Sequence, residues 1–231
     1  MLDFRVRWKP ELMLTKIKIC GISTVPVAKA SAEAGADYLG IVFEPHSRRL
    51  VELEKAKHLI ASFRASWSMK KPKWVGVFAN QTTEEVNHVL NYCNLDLAQL
   101  SGQESVGYCR LIVRPVIKVF HIGEDPNDEN SLRSIKTSLE LYKKEGHMCM
   151  LDTYKHGVLG GTGQVFDWNI AKEISEDFNM ILAGGLNPEN VRHAVSQVNP
   201  WGIDVSSGVE TDGQKDTTKI ANFISQARNT G

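Results

Sequence analysis

Cys20 follows Lys18 at the end of a short apolar run and precedes Gly21, and Asp152 closes the run Met148-Cys149-Met150-Leu151. Alternate residues of a strand face the same way, so Lys18 and Cys20 share one side, and Met148, Met150 and Asp152 share one side of theirs. An ammonium beside a thiol favours thiolate, a competent base or nucleophile. A buried cysteine that only fills space is inert, and the two residues by themselves leave both readings open. A carboxyl at the end of an apolar stripe can be raised above its ordinary pKa of about 3.9 and donate a proton near neutrality. A solvated aspartate, or a cap for the loop that follows, is the alternative.

Binding chemistry gathers at the ends of other apolar runs. Arg48 and Arg49 follow Pro45, and a guanidinium there can grip a carboxylate or phosphate with two parallel hydrogen bonds; one of the pair is expected to be a solvated loop residue. Three small-residue turns crowd into the last third of the chain: Gly160-Gly161-Thr162-Gly163, Gly184-Gly185 and Ser206-Ser207-Gly208. Small residues let backbone N–H groups approach a bulky anion, so converging turns of this kind make a phosphate cradle. Asp204 shares parity with Ser206; it can hold a substrate hydroxyl or orient a lysine, or form a buried ion pair with Lys18 or Lys118.

Other chemistries find no support in the spacing. The histidines show no HxH or HxxxH pattern, and Cys20, Cys93, Cys109 and Cys149 are too scattered for a zinc site. No GxxxxGK[ST] occurs and no GxGxxG follows the first strand, so neither metal nor nucleotide cofactor is expected. Formal net charge is +0, which gives no global field for nucleic acid or an anionic membrane. The expected partner is a small phosphorylated molecule; protein partners are not readable. Residues 1–14 contain no apolar stretch of the secretory type, and the longest apolar runs are too short to span a bilayer. Free thiols in the cytoplasm are the simpler reading of the cysteines.

The positioning elements follow from periodicity. Short apolar runs at 16–21, 38–43, 74–79, 95–100, 115–120, 147–152, 179–183 and 201–206 alternate with helical patterns at 25–34, 53–65, 84–92, 105–112, 130–144, 168–178, 188–198 and 217–228. Strict alternation implies a parallel sheet with helices outside it, and eight units imply closure: an α/β fold, a (β/α)8 TIM barrel, with residues 15–231 as a single domain and 1–14 as an N-terminal extension. A doubly wound open sheet is the competing arrangement. In a barrel of this kind the chemistry sits where strands end, which is where the polar residues above fall.

Several segments together resemble one family. They are Lys18-Ile19-Cys20-Gly21-Ile22, Gly40-Ile41-Val42-Phe43, Val75-Gly76-Val77-Phe78, Leu151-Asp152-Thr153, Gly160-Gly161-Thr162-Gly163 with Phe166-Asp167-Trp168, Ala183-Gly184-Gly185-Leu186-Asn187-Pro188-Glu189-Asn190-Val191, and Asp204-Val205-Ser206-Ser207-Gly208-Val209-Glu210. In this order, across 15–228, the chain resembles the phosphoribosylanthranilate isomerases of tryptophan biosynthesis. The resemblance implies an Amadori rearrangement without metal or organic cofactor, with Asp152 as the acid that opens the furanose ring and Cys20 as the base that takes the C2 proton. It also implies Arg49 as the group that binds the anthranilate carboxylate, backbone donors around Gly163, Gly185, Ser207 and Gly208 for the phosphate, and residues 154–164 as a mobile cover. Two positions depart from the pattern: Ser101 stands where the family usually has His, and Leu50 where an aromatic is common. Two rival readings remain, an aldolase or epimerase with Lys18 or Lys118 as a Schiff-base amine, and a non-catalytic barrel that binds a phosphorylated ligand.

Overall fold

The computed structural model describes residues 14–69, 72–121, 129–152 and 168–229. Its strands are β1 (Lys16–Cys20), β2 (Tyr38–Val42), β3 (Lys73–Phe78), β4 (Leu97–Leu100), β5 (Val116–His121), β6 (Met148–Asp152), β7 (Met180–Ala183) and β8 (Gly202–Val205). They pair in parallel in chain order, and β8 pairs back to β1, so the sheet is a closed barrel and not an open one. Helices α1 (Val25–Ala34), α2 (Leu53–Ser66), α3 (Thr83–Tyr92), α4 (Val106–Cys109), α5 (Glu129–Lys144), α6 (Trp168–Asp177), α7 (Val191–Val198) and α8 (Thr217–Arg228) follow their strands one by one. A two-stranded hairpin, β9 (Glu210–Thr211) and β10 (Gln214–Lys215), sits between β8 and α8 and has no counterpart in the sequence reading.

Alternation along each strand divides two cores. Residues such as Ile17, Ile19, Leu39, Ile41, Leu151, Leu182 and Ile203 face the helices. Their neighbours face inward, where Val75, Leu97, Ile117, Val119, Met150, Ile181 and Ala183 fill the barrel. Nearer the C-terminal rim, Cys20, Val42 and Val77 form a smaller cluster. Lys18, Asp152, Asp204 and His121 belong to the inward set by the same parity, so their ends point up into the mouth of the barrel.

Most helix starts obey local chemistry. Thr82 and Glu85 form a reciprocal cap before α3. Two helices are shorter than their patterns. The stretch 188–198 becomes helical only from Val191, because Asn187 Oδ1 accepts the N–H groups of Glu189 and Asn190 and folds 187–190 into a turn. The expected helix at 105–112 stops at Cys109: Leu111 and Ile112 bond back three residues, and the N–H of Val113 is taken by Asn87 Oδ1. The turn at Gly160–Gly163, the proposed cover at 154–164 and residues 1–13 of the expected extension lie outside the described residues.

Candidate active site

At the end of β1, Cys20 is buried beside Lys18, and the register places Lys18 opposite Asp204 of β8. Lys18 Nζ donates to Asp204 Oδ1 at 2.8 Å, both groups buried. Burial alone pulls the Lys18 pKa down, but the Asp204 carboxylate and the Cys20 sulfur outweigh it and the net shift is upward. Lys18 does pull the Cys20 thiol pKa down, as expected, but the pull is outweighed. Burial pushes the Cys20 thiol up, and the opposing pull of Lys18 and Lys215 does not overcome it, in part because Asp204 already compensates Lys18. The net effect favours the thiol form of Cys20. Of the readings left open for Asp204, the buried ion pair with Lys18 is the one found.

Asp152 ends β6 at the rim, its side chain 31% exposed, so it is less enclosed than a continuation of the apolar stripe would be. It lines a cleft of about 140 Å³ together with Ala183, Gly184, Gly185, Leu186, Asp204, Val205, Ser206, Ser207 and Gly208. The closure of β6, β7 and β8 thus brings seven of the expected residues to one opening. That volume is well below the roughly 300–1,000 Å³ of a whole ligand pocket and suits a phosphoryl group with part of a sugar. Its walls are backbone turns. Gly184 and Gly185 both have positive φ, 91° and 66°, which L side chains rarely adopt. The short turn Ser207–Val209 packs so closely on the β7 turn that a Cβ on Gly208 would lie 1.9 Å from the carbonyl oxygen of Leu186. Ser206 contributes differently: its hydroxyl donates to the Cys20 carbonyl at 3.3 Å and ties the end of β8 to that of β1.

Arg49 reaches the same rim from the loop after β2. Its Nε and one terminal nitrogen hold Glu210 in a bidentate pair at 2.6 and 2.9 Å. Arg48 joins the same carboxylate at 2.5 Å from a more exposed position. Lys215 completes the cluster, donating to Glu210 at 2.6 Å and to the Ser206 carbonyl at 2.9 Å. Burial would raise the Glu210 pKa, but Arg49 and Lys215 outweigh it and hold the carboxyl at about 2. Both arginines thus pair with Glu210, Arg48 from the more exposed side and Arg49 from the more buried one.

A carboxyl on β6, a thiol on β1, an arginine after β2 and small-residue turns after β7 and β8 thus gather at one rim of the barrel. The sequence profile of N-(5'phosphoribosyl)anthranilate (PRA) isomerase matches residues 17–226. The chain belongs to this family. It is 45% identical over 215 residues to the N-(5'-phosphoribosyl)anthranilate isomerase of Dehalococcoides mccartyi, covering 93% of this chain and 96% of that one. The crystal structure of phosphoribosyl anthranilate isomerase from Thermotoga maritima superposes with a TM-score of 0.79 at 36% identity, covering 92% and 98% of the two chains. A phosphoribosyl anthranilate isomerase solved with reduced 1-(o-carboxyphenylamino)-1-deoxyribulose 5-phosphate gives a TM-score of 0.76 at 34% identity, again covering 92% of this chain and 98% of that one.

At the two positions that depart from the pattern, Ser101 directly follows β4 with its hydroxyl 3.3 Å from the Gln99 amide, and Leu50 is 39% exposed beside Arg49. An imidazole nevertheless stands at this part of the rim, because His121 ends β5 with Nε2 3.2 Å from the Ser101 carbonyl oxygen. Sequence reasoning missed His121, Glu210 and Lys215. Glu210 closes the quoted Asp204–Glu210 motif, and His121 shares inward parity with Ile117 and Val119, so a parity argument extended to those residues reaches both; Lys215 had no local signal. The lysine-based rival loses its candidates. Lys118 points outward from the barrel and is pinned by Glu104 at 2.8 Å and by the carbonyls of Leu100 and Gly102. Lys18 is engaged by Asp204. Among the described residues no group of three or more His, Cys, Asp or Glu side chains is placed to hold a metal ion.

Proposed function

We propose that Asp152 and Cys20 divide the two proton transfers of N-(5'-phosphoribosyl)anthranilate isomerisation, the reaction of tryptophan biosynthesis for which this family is named. Asp152 protonates the furanose ring oxygen, the ring opens, and a Schiff base forms at C1. Cys20 then removes the C2 proton, and the enolamine tautomerises to 1-(2-carboxyphenylamino)-1-deoxyribulose 5-phosphate. Backbone donors around Gly184, Gly185, Ser207 and Gly208 hold the phosphate, with Gly163 assigned to the same role by its motif. Arg49 meets the anthranilate carboxylate through the N–H groups that Glu210 leaves free, and Asp204 acts through Lys18.

The observation that carries this reading is the shared cleft, in which the Asp152 carboxyl and the phosphate-type turns face one opening while Asp204 and Lys18 connect it to Cys20. A thiol held in its neutral form needs a reason to ionise, and the positive charge of the protonated Schiff base supplies one, since an adjacent cation favours thiolate. The thiol proton passes to solvent as the cation forms, so the base is generated with the substrate in place. The reaction uses side chains alone, and no helix among the described residues is long and apolar enough to cross a membrane; we place the enzyme in the cytoplasm with a small phosphorylated substrate and no nucleic-acid partner.

The test follows the fluorescence of phosphoribosylanthranilate on adding the full-length protein in metal-free buffer. Rapid decay is expected, with kcat about 10²–10⁴-fold lower in Cys20→Ser and in Asp152→Asn while circular dichroism stays unchanged. Wild-type turnover in either variant would remove that residue from its role.

A further inference from the structure

His121 is the last residue of β5, and the parallel register sets it directly beside Asp152, the last residue of β6. Both belong to the inward-facing set, so the two side chains emerge together at the rim. His121 Nδ1 lies 3.9 Å from Asp152 Oδ2, an ion-pair distance that a small ring rotation or one water converts to a hydrogen bond. On the other side of the ring, Nε2 is 3.2 Å from the Ser101 carbonyl oxygen. A carbonyl can only accept, so Nε2 carries a hydrogen, and Nδ1 is the nitrogen left to exchange a proton with the carboxylate. The β4 end therefore fixes the tautomer, and the β6 end receives the working nitrogen.

Among the described residues, two charged groups of neighbouring segments pair with lysines: Glu104 with Lys118, and Asp204 with Lys18. The His121 side chain is 59% exposed and Asp152 is 31% exposed, so the imidazole beside the carboxyl is the more open of the two to water.

We propose that His121 is a positioning residue that orients the Asp152 carboxyl and returns a proton to it in each turnover. This rests on the reading of Asp152 as the general acid. When the substrate ring oxygen takes the proton, the Asp152 O–H bond breaks and a carboxylate remains. The Nδ1–H bond of the imidazolium then breaks, its proton passing to Asp152 Oδ2, and the neutral Nδ1 takes a fresh proton from water. Cys20, which loses its proton to solvent when it ionises, is returned to the thiol by the C2 proton, so the enzyme ends the cycle as it began. Imidazole suits this step because it is the side chain whose ordinary titration falls near neutral pH.

The test compares full-length wild type, His121→Gln and Asp152→Asn by phosphoribosylanthranilate fluorescence, at fixed pH and ionic strength, with and without added imidazole. Gln can still donate to the Ser101 carbonyl but cannot pass a proton. For His121→Gln, kcat is expected to fall by about tenfold with KM within about twofold of wild type, and imidazole should restore kcat in proportion to its concentration while leaving wild type unaffected. A kcat within about twofold of wild type, or a loss that imidazole does not restore, overturns the proposal. Asp152→Asn reports separately on the reading beneath it. If it is inactive in every buffer, the acid stands and His121 is judged by its own variant; if it turns over normally, the acid assignment fails and this proposal with it.

Discussion

Two residues at the barrel mouth are held in states opposite to their roles in turnover. Cys20 is the proposed base, yet burial pushes its thiol pKa up and so favours the neutral form. Alkylation of Cys20, followed by mass spectrometry of its peptide, is therefore expected to keep accelerating with pH beyond the ordinary thiol value of 9.0. A plateau below that value would show a thiolate already formed. Arg49 is the proposed ligand for a carboxylate, yet Glu210 already occupies two of its nitrogens. Because the folded protein holds Glu210 at about 2, below the ordinary 4.5, the cluster contributes stability that is fully present above about pH 4.5 and is lost as pH falls toward 2. Thermal melts should show wild type losing stability more steeply than Glu210→Gln across that interval. Equal slopes would mean that the carboxylate and its three cations contribute nothing to stability.

At the scale of elements, the phosphate cradle depends on two turns that touch. The β7 turn needs positive φ at Gly184 and Gly185, and the turn after β8 fits against Leu186 only because residue 208 has no side chain. Gly208→Ala would place a Cβ against a backbone oxygen, and backbone cannot rotate away as a side-chain tip can. The two turns must separate, which misaligns their N–H groups. The expected outcome is KM raised by about tenfold or more, worth roughly 1.4 kcal/mol of binding, in a protein whose far-ultraviolet circular dichroism is unchanged. Unaltered KM would place the phosphate elsewhere. The late start of α7 belongs to the same scale, since the Asn187–Asn190 side chains hold a turn directly after the cradle.

Across the whole molecule, closure of the sheet sorts buried charge into two compartments. Lys18 and Asp204 lie inside the barrel, where they border the chemistry. Lys118 and Glu104 lie outside it, where the pair fastens the segment after β4 to β5; Glu104 also accepts the N–H groups of Asn80 and Gly102. This second pair is structural. Lys118→Met would leave the Glu104 carboxylate buried without its cation, and urea unfolding is expected to show a loss of about 3–5 kcal/mol. Activity measured well below the melting temperature should persist, whereas a catalytic lysine at this position would make the variant inactive at every temperature.

The sequence by itself determined the period of the elements, the side of each strand on which Lys18, Cys20, Asp152 and Asp204 lie, and the family. These are local properties: alternation, helical spacing, caps and contiguous motifs act over a few residues, and the expected strands match the observed ones to within a few positions. Only the tertiary structure decided which charges meet. Lys18 and Asp204 are separated by 186 positions, and Arg49 and Glu210 by 161. Their pairing required β8 to close on β1 and the β9–β10 hairpin to fold over the rim. The state of the thiol and the partner of the arginine follow from that closure, and the placing of His121 beside Asp152 follows from the pairing of β5 with β6. A side chain's parity is written in its own strand, but its electrostatic environment is set by strands the chain reaches only after folding around the barrel.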